Sequence, residues 1–192
     1  MNLLRHLGEC TGDARALHLD QGTSRAVDEF VRQSAAHLYR IAARVLSDPD
    51  DARDAVQAAL TRTVTWVARH GLPRDLGAFV RTAVVHTALE MRRHRTRRAR
   101  RTADGELLPD RPTACSEDPA HQTVARAELQ RVLAAIERLP EKQRVAIKLF
   151  ELEGMSVKEV AAAMCSRAGT VKVHLHRARG SLRRALEGDE PI

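Results

Sequence analysis

Apolar residues recur at three- and four-residue spacing through the first hundred residues, and no stretch of the chain shows sustained alternation of apolar and polar positions. Such spacing places apolar side chains on one face of an α-helix, whereas a strand needs a period of two. Helices are therefore predicted from Ser24 to about Leu46, from Pro49 to the break at residues 71–73, and from Leu76 into an arginine-rich run. In the third helix the apolar stripe includes Phe79, Val80, Ala83 and Val84.

The second half of the chain has the same helical spacing and ends in a pair of helices. The predicted elements are a helix from near Gln122 to Pro140, a short buried helix from Val145 to Leu152, and two helices joined by a tight turn between Gly154 and Leu186. Ser156 and Glu159 have the spacing of a capping box at the start of this pair. Two helices joined by about four residues, the second of them basic, form a helix-turn-helix, whose second helix enters the major groove of DNA.

The last helix separates an apolar stripe from a polar face. At about 100° per residue, the stripe contains Val171, Leu175, Ala178, Leu182 and Ala185. The opposite face contains Thr170, Val173, His176, Arg177, Gly180 and Arg184. The stripe is predicted to pack in a core, and the polar face is predicted to contact DNA. A helical hairpin whose basic face is only solvated is the simpler alternative.

The composition changes between the two groups of helices. Residues 102–121 contain three prolines and five acidic residues against one arginine, so they are predicted to form an acidic, Pro-containing linker. The predicted fold is all-α, with a tail at residues 1–23, a helical domain at 24–101, the linker, and a second helical domain at 122–187 that ends in the helix-turn-helix. A chain of 192 residues is long enough for two small domains.

The charge of the chain favours a polyanionic partner. The formal net charge is +7 and the pI is near 10.1, which fits nucleic acid first and an acidic membrane surface second. Residues 92–101 hold seven arginines in ten positions. Like charges three or four residues apart destabilise a helix, so a phosphate backbone is expected to offset them. The alternative is a disordered basic segment between the domains.

Several classes of protein lack support in the sequence. No apolar run has the length of a secretory signal or a membrane span, so a cytoplasmic protein is predicted. Three scattered cysteines argue against a disulfide framework, and His6 with Cys10 lacks the second pair that a closed zinc site needs. No phosphate loop, metalloprotease motif or nucleophile motif is present. No cofactor, no metal and no enzymatic activity are therefore expected.

The residues of the final helix pair resemble a known family. Gly169-Thr170-Val171-Lys172, Leu175 to Arg179 and Leu182-Arg183, preceded by Leu139 to Arg144, resemble the promoter-binding carboxy-terminal domain of bacterial sigma factors, in particular the extracytoplasmic-function (ECF) group. The resemblance implies that the minus-35 promoter element is contacted by Arg167, Thr170, Lys172, Val173, His176 and Arg177. The turn departs from the family pattern, because Cys165, Ser166 and Arg167 stand where the family usually has Gly, an apolar residue and Ser.

A second resemblance lies on the second predicted helix. Residues 51–57 are similar to the family's Asp-Ala-Glu-Asp-x-x-Gln segment, which docks on the clamp of the polymerase β′ subunit. The resemblance implies a polymerase-binding role for Asp51, Asp54, Gln57 and Leu60. Arg53 replaces an acidic residue of the pattern, which makes this surface less acidic than the family norm. Without the resemblance, these carboxylates would only favour the positive end of the helix dipole.

The third helix is similar to the family's minus-10 recognition helix. The resemblance implies that the minus-10 element is contacted by Phe79, His86, Glu90 and Arg93, with His86 standing where the family tends to have Asn. Trp66 is interpreted as a core residue, with base stacking as the alternative. Contacts to the phosphate backbone are expected from Arg92, Arg95, Arg97, Arg98, Arg179, Arg183 and Arg184.

These patterns predict a sigma factor that binds core RNA polymerase, through β′ and β, and directs initiation at promoters with minus-35 and minus-10 elements. The protein is expected to be a monomer when free and to have no membrane partner. An anti-sigma factor is a further expected partner, although no residue identifies one. The alternative is a stand-alone helix-turn-helix regulator, which would need a dimerisation surface for palindromic half-sites.

Overall fold

The structure, a computed structural model, describes residues 20–102 and 124–187, with side-chain surroundings for residues 20–98 and 127–187. Every regular element in these ranges is helical, which confirms the all-α prediction for the described part of the chain. The elements are α1 Gln21–Val45, α2 Pro49–His70, α3 Leu76–Thr102, α4 Val124–Glu137, α5 Glu141–Ile147, a π-helical segment Lys148–Leu152, α6 Val157–Ala163 and α7 Ala168–Glu187.

The described helices divide into two compact units. The first contains α1, α2 and α3, and the second contains α4, α5, α7 and most of α6. The structure does not describe residues 1–19 of the predicted tail or residues 103–121 of the predicted linker. Residues 21–23 are helical rather than part of a tail, and Thr102 is the last residue of α3.

In the first unit, α3 contacts both α1 and α2, which also contact each other. Residues 82–89 of α3 are all buried, as expected for a helix with neighbours on more than one side. On α2, the residues that face inward are small: Ala52, Ala55 and Ala59 are each 0% exposed. Alanine leaves room for the helix axes to approach closely, so α2 packs tightly on its neighbours along this face.

An aspartate side chain caps the start of each helix of the first unit, and in α3 Asp75 accepts the backbone N–H of Ala78 at 2.8 Å. Asp48 accepts hydrogen bonds from the backbone N–H groups of Asp50, at 2.8 Å, and Asp51, at 3.4 Å, and Pro49 is the first residue of α2, as predicted. These backbone hydrogen bonds lower the pKa of the Asp48 carboxyl below its usual value. Asp20 caps α1 by accepting from the backbone N–H of Thr23 at 3.0 Å. Because of that cap, α1 begins at Gln21, earlier than predicted from the apolar spacing.

In the second unit, α7 packs on α4 and α5. The side chains of Leu149, Val160 and Val171 are 0% exposed in its core. The helix predicted from Val145 instead begins at Glu141 and continues into the π-helical segment. Pro140 accepts the backbone N–H groups of Gln143 and Arg144, each at 2.9 Å, so its carbonyl starts the helix without a capping side chain.

The turn between α6 and α7 has a left-handed residue that is not glycine. The predicted capping box of α6 is present, because Ser156 N–H donates to the Glu159 carboxylate at 2.8 Å and Glu159 N–H donates to Ser156 Oγ at 3.2 Å. At the other end of α6, Ser166 N–H donates to Ala161 O at 2.9 Å and Cys165 N–H donates to Ala162 O at 3.2 Å. This is a Schellman motif, with Cys165 at φ 51° in the position that glycine usually occupies.

Cys165→Gly should stabilise the protein by about 0.5–1 kcal/mol. The left-handed conformation costs a residue with a Cβ about 1–2 kcal/mol, and the greater freedom of glycine in the unfolded chain offsets part of that gain. Urea unfolding followed by circular dichroism measures the difference. Cys165→Ala removes the same exposed thiol but keeps Cβ, so it should not stabilise the protein. Equal stabilisation by both substitutions would contradict the backbone explanation.

Candidate nucleic-acid interface

The two faces of α7 are separated as the sequence pattern predicted. Val171 and Ala178 are 0% exposed and Leu175 is 4% exposed, which fixes the inward face of the helix. Outward, the structure exposes every side chain predicted to contact the minus-35 element, namely Arg167, Thr170, Lys172, Val173, His176 and Arg177. Val173 is 47% exposed and lies among these polar side chains. The first turns of α7 therefore present two basic side chains around an apolar one, a combination suited to base edges and thymine methyl groups.

Arg179 lies further along α7 and has an intramolecular partner. Its Nε and Nη2 groups donate to Glu151 Oε1 at 3.1 and 2.6 Å, and its guanidinium lies 5.5 Å from the ring centroid of Phe150. Both partners belong to the π-helical segment, so Arg179 fastens that segment to α7. Arg179, which is predicted to contact a phosphate, therefore has an ion-pair partner within the second unit, although its side chain is 55% exposed. The phosphate contact stays a prediction.

His174 is a half-buried neighbour of the exposed basic face, and its position was not predicted from the sequence. Its Nδ1 atom is buried without a hydrogen-bond partner in the structure. Burial, helped by the charges of Lys142 and Arg177, lowers the pKa of His174 below its usual value. Near neutral pH the positive charge of this face therefore comes from lysine and arginine rather than from His174.

On α2 the predicted polymerase-binding residues fall into two groups. Asp54 and Gln57, three residues apart on one helix face, are exposed. Asp51 and Leu60 are only partly exposed. Asp51 also forms an ion pair with Arg95 of α3, so it is not an isolated surface carboxylate. The structure thus offers Asp54 and Gln57 as the most accessible docking side chains of the predicted set.

Phe79 is a core residue and not an exposed base contact. It is 3% exposed, and its ring lies 4.7 Å from the ring of Trp66 at an interplanar angle of 40°. Trp66 in turn stacks on His70 at 4.7 Å and 21°. An aromatic residue on the inward stripe of α3 fills the space between α2 and α3, because the neighbouring core is built from small side chains. We therefore correct the prediction that Phe79 contacts the minus-10 element.

The other residues predicted to contact the minus-10 element form a polar cluster with Arg62 of α2. Arg62 Nη1 donates to Glu90 Oε2 at 2.8 Å and to Thr87 Oγ1 at 3.4 Å. His86 is 8% exposed, and its Nδ1 atom lies 3.7 Å from the same Glu90 oxygen. Arg93, one turn further on, is exposed. Arg62 was not among the predicted site residues. Its partners Thr87 and Glu90 lie 25 and 28 positions away, so no local spacing connects them to it.

His86 should make the first unit sensitive to acid. Burial lowers the pKa of His86 below its usual value, and the charges of Arg62 and Arg93 add to that effect while Glu90 opposes it. Because the unfolded chain binds this proton more readily, the stabilisation from neutral His86 is present above a pH of about 6.5 and is lost as the pH falls toward the lower folded pKa. His86→Gln should reduce the acid-induced loss. Fluorescence of Trp66, the only tryptophan, reports unfolding of this unit at each pH. If the stability of His86→Gln and of the parent depended on pH in the same way, His86 would not be the cause of the acid sensitivity.

The arginine run at the end of α3 has internal as well as exposed members. Arg92 Nη1 donates to Val45 O at 3.3 Å, and Arg95 forms an ion pair with Asp51 and lies 3.8 Å from Asp48 Oδ2. Both side chains thereby link α3 to the end of α1 and the start of α2. Arg92 and Arg95 thus have partners within the protein, whereas the side chains of Arg97 and Arg98 are exposed. Contact of these arginines with phosphates stays a prediction.

Among the residues that the structure describes, no group of three His, Cys, Asp or Glu side chains is arranged to hold a metal ion. No helix within the described ranges is both long enough and apolar enough to cross a bilayer.

The chain matches two family models, one in each unit. The model described as "Sigma-70 region 2" matches residues 30–98, and "Sigma-70, region 4" matches residues 129–182. The first match covers all of α2 and most of α1 and α3. The second covers the helix-turn-helix.

Similar proteins cover most of the chain. An RNA polymerase sigma-E factor of Streptomyces avermitilis is 38% identical over 160 residues, which is 83% of this chain and 84% of the relative. The ECF RNA polymerase sigma factor SigE of Mycolicibacterium smegmatis is 32% identical over 170 residues, 85% of this chain and 63% of the relative. The fold is similar to that of a sigma factor, RpoE, in complex with the anti-sigma factor NepR from Bartonella quintana, with a TM-score of 0.65, 24% identity, and coverage of 86% of this chain and 99% of that one.

Proposed function

This chain belongs to the ECF group of the sigma-70 family of RNA polymerase sigma factors, and we propose that its two helical units divide the recognition of a promoter between them. It is a transcription initiation factor that binds core RNA polymerase and promoter DNA. The observation that supports the division of labour is the exposed basic and apolar face of α7, which lies in the region-4 match.

We propose that residues 24–101 form the module for polymerase docking and minus-10 recognition. Asp54 and Gln57 supply the accessible part of the docking face of α2, with Asp51 and Leu60 at its edges. Contacts to the minus-10 element come from the His86, Glu90 and Arg93 side of α3. Because Arg62 neutralises Glu90, its carboxylate does not repel the DNA backbone as an isolated acid would.

We propose that residues 122–187 form the minus-35 module, joined to the first by the acidic linker. The exposed side chains at the start of α7 contact base edges, while those nearer its end, Arg183 and Arg184, contact phosphates together with Arg97 and Arg98 of α3. Phosphate contacts position a protein on DNA and base contacts give it specificity. Arg177, with an exposed guanidinium in the middle of α7, is the strongest candidate for a specific base contact.

The remaining parts of the proposal follow from this role. The protein works through polymerase as a non-enzymatic subunit, and it acts in the cytoplasm, where polymerase is found. The structurally similar RpoE is in complex with an anti-sigma factor, which supports a partner of that class for this chain. A stand-alone regulator is disfavoured because both family matches describe parts of polymerase sigma factors.

Transcription by purified core polymerase with this protein, on a library of promoter sequences, tests the proposal. Two short enriched elements separated by a constant spacing are expected, one for each module, with no transcript when core enzyme is replaced by buffer. One enriched element alone would contradict the division between the two modules. Tight binding to a palindromic duplex without polymerase would instead support the stand-alone regulator.

A further inference from the structure

One ion pair joins the two binding surfaces proposed for the first unit. Arg95 of α3 pairs with Asp51 of α2 through Nη1 and Oδ2, and the same nitrogen lies 3.8 Å from Asp48 Oδ2. Asp51 lies one helical turn before Asp54, at the edge of the docking face. Arg95 lies between Arg93 and Arg97 on the arginine-rich part of α3. The pair therefore spans from the polymerase-docking face to the DNA-binding end of α3.

Both members of the pair remain accessible to outside partners. The side chain of Arg95 is 64% exposed and that of Asp51 is 30% exposed. A basic side chain of the polymerase that approaches Asp54 also approaches Asp51, where it meets a carboxylate already paired with Arg95. A DNA phosphate that approaches Arg97 likewise meets Arg95 already paired with Asp51. Each external partner competes with the internal one, because both seek the same charge.

We propose that the Arg95–Asp51 ion pair couples polymerase docking to promoter binding. When a basic group of the polymerase pairs with Asp51, Arg95 is released to contact a DNA phosphate, and when a phosphate pairs with Arg95, Asp51 is released to the polymerase. The effect is reciprocal. Whichever ligand binds first breaks the Arg95–Asp51 ion pair, so the second ligand binds without the free-energy cost of breaking it. This inference rests on the proposed function, in particular on the docking role of α2.

The expected size of the coupling is modest. Ion pairs between largely exposed side chains contribute little, so breaking this one changes either affinity by roughly 1.5- to 5-fold. The effect should decrease at high salt because the two charges are screened. Such a factor is measurable and would make the free protein a weaker DNA binder than its charge suggests.

Arg95→Met is the variant that tests the coupling from the polymerase side. It removes the charge and keeps an apolar stem, so Asp51 is released without a cavity. In the absence of DNA, Arg95→Met should bind core polymerase about 1.5- to 5-fold more tightly than the parent. The matched control is Arg97→Met, which removes the same charge two residues away; Arg97 is exposed and forms no ion pair among the described residues. The control should leave core affinity unchanged and weaken only DNA binding.

Asp51→Asn tests the coupling from the DNA side. It releases Arg95, so in the absence of polymerase it should strengthen binding to a promoter duplex by a similar factor. The affinity should also fall more steeply with salt concentration, by about the amount that one added phosphate contact contributes. Asp50→Asn is its control, because Asp50 carries the same charge one residue away and pairs with Arg53 instead.

The outcomes separate this inference from the proposed function. If Arg95→Met bound core polymerase no more tightly than Arg97→Met, the coupling would be wrong, even where Asp54→Arg still abolished docking. If Asp54→Arg bound core polymerase as well as the parent, the docking role of α2 itself would fail. Weaker core binding by Arg95→Met would also overturn the coupling, since it would make Arg95 a contact or a structural requirement of the docked state.

Discussion

Arg177→Ala is expected to lower transcription and to relax the preferred base at one position of the minus-35 element. Val171, Leu175 and Ala178 are buried, so the direction of Arg177 on α7 is fixed by the core beneath it. Its guanidinium is exposed and is suited to bond guanine O6 and N7 together. Loss of such a contact removes about 1–3 kcal/mol of discrimination, which corresponds to roughly 5- to 150-fold between the preferred base and its competitors.

Selection of promoters from a randomised library by the variant and the parent measures this change. Arg184→Ala is the matched control: Arg184 is an exposed arginine on the same helix, close to Ser181, and two turns further from the turn of the motif. It should weaken binding evenly across sequences and reduce its salt dependence. An unaltered minus-35 preference in Arg177→Ala would show that α7 does not recognise bases through this residue.

Helices and their faces were predictable because their signals are local. The buried stripe of α7 follows from apolar spacing, and the starts of α2 and α6 follow from the cap at Asp48 and the capping box of Ser156 with Glu159. The start of α1 at Gln21 was missed, although Asp20 followed by Thr23 three residues later is also a local capping signal. The start of α5 has no such signal, because the carbonyl of Pro140 rather than a side chain accepts the first N–H groups.

The site was less predictable where two sources of inference disagreed. Apolar spacing placed Phe79 on the inward stripe of α3, and family resemblance placed it at the DNA. The structure supports the spacing, because a side chain that is 3% exposed is fixed by the packing of α2 against α3. On α7 the two sources agreed, because the residues that the resemblance assigns to the minus-35 element lie outside the buried stripe and are exposed.

Internal partners of the arginines could not be predicted from the sequence. Arg95 and Asp51 are 44 positions apart, and Arg179 and Glu151 are 28 positions apart, so their pairing depends on how the helices pack. A run of arginines has the same sequence whether its charges are neutralised by DNA or by the protein. In this chain, Arg92 and Arg95 have partners within the protein, which reduces the number of arginines left for phosphates.

Asp54→Arg is expected to abolish stable binding to core polymerase while leaving the helical content unchanged. Asp54 is exposed on α2, so reversing its charge disturbs no packing, yet it places a cation opposite the basic group that the docking face would meet. Loss of one partner of a hydrogen-bonded charge pair in an interface costs about 2–5 kcal/mol, and charge reversal adds repulsion.

The affinity of labelled core polymerase for each variant measures this cost, and circular dichroism confirms folding. Asp28→Arg is the matched control, because Asp28 is an exposed aspartate on α1 and the substitution changes the net charge of the protein by the same amount. Gln57→Ala, on the same face as Asp54, should give a smaller loss, since it removes a neutral side chain. If Asp54→Arg and Asp28→Arg bound core polymerase equally, a general effect of charge would explain the result, and the docking face would have to lie elsewhere on the protein.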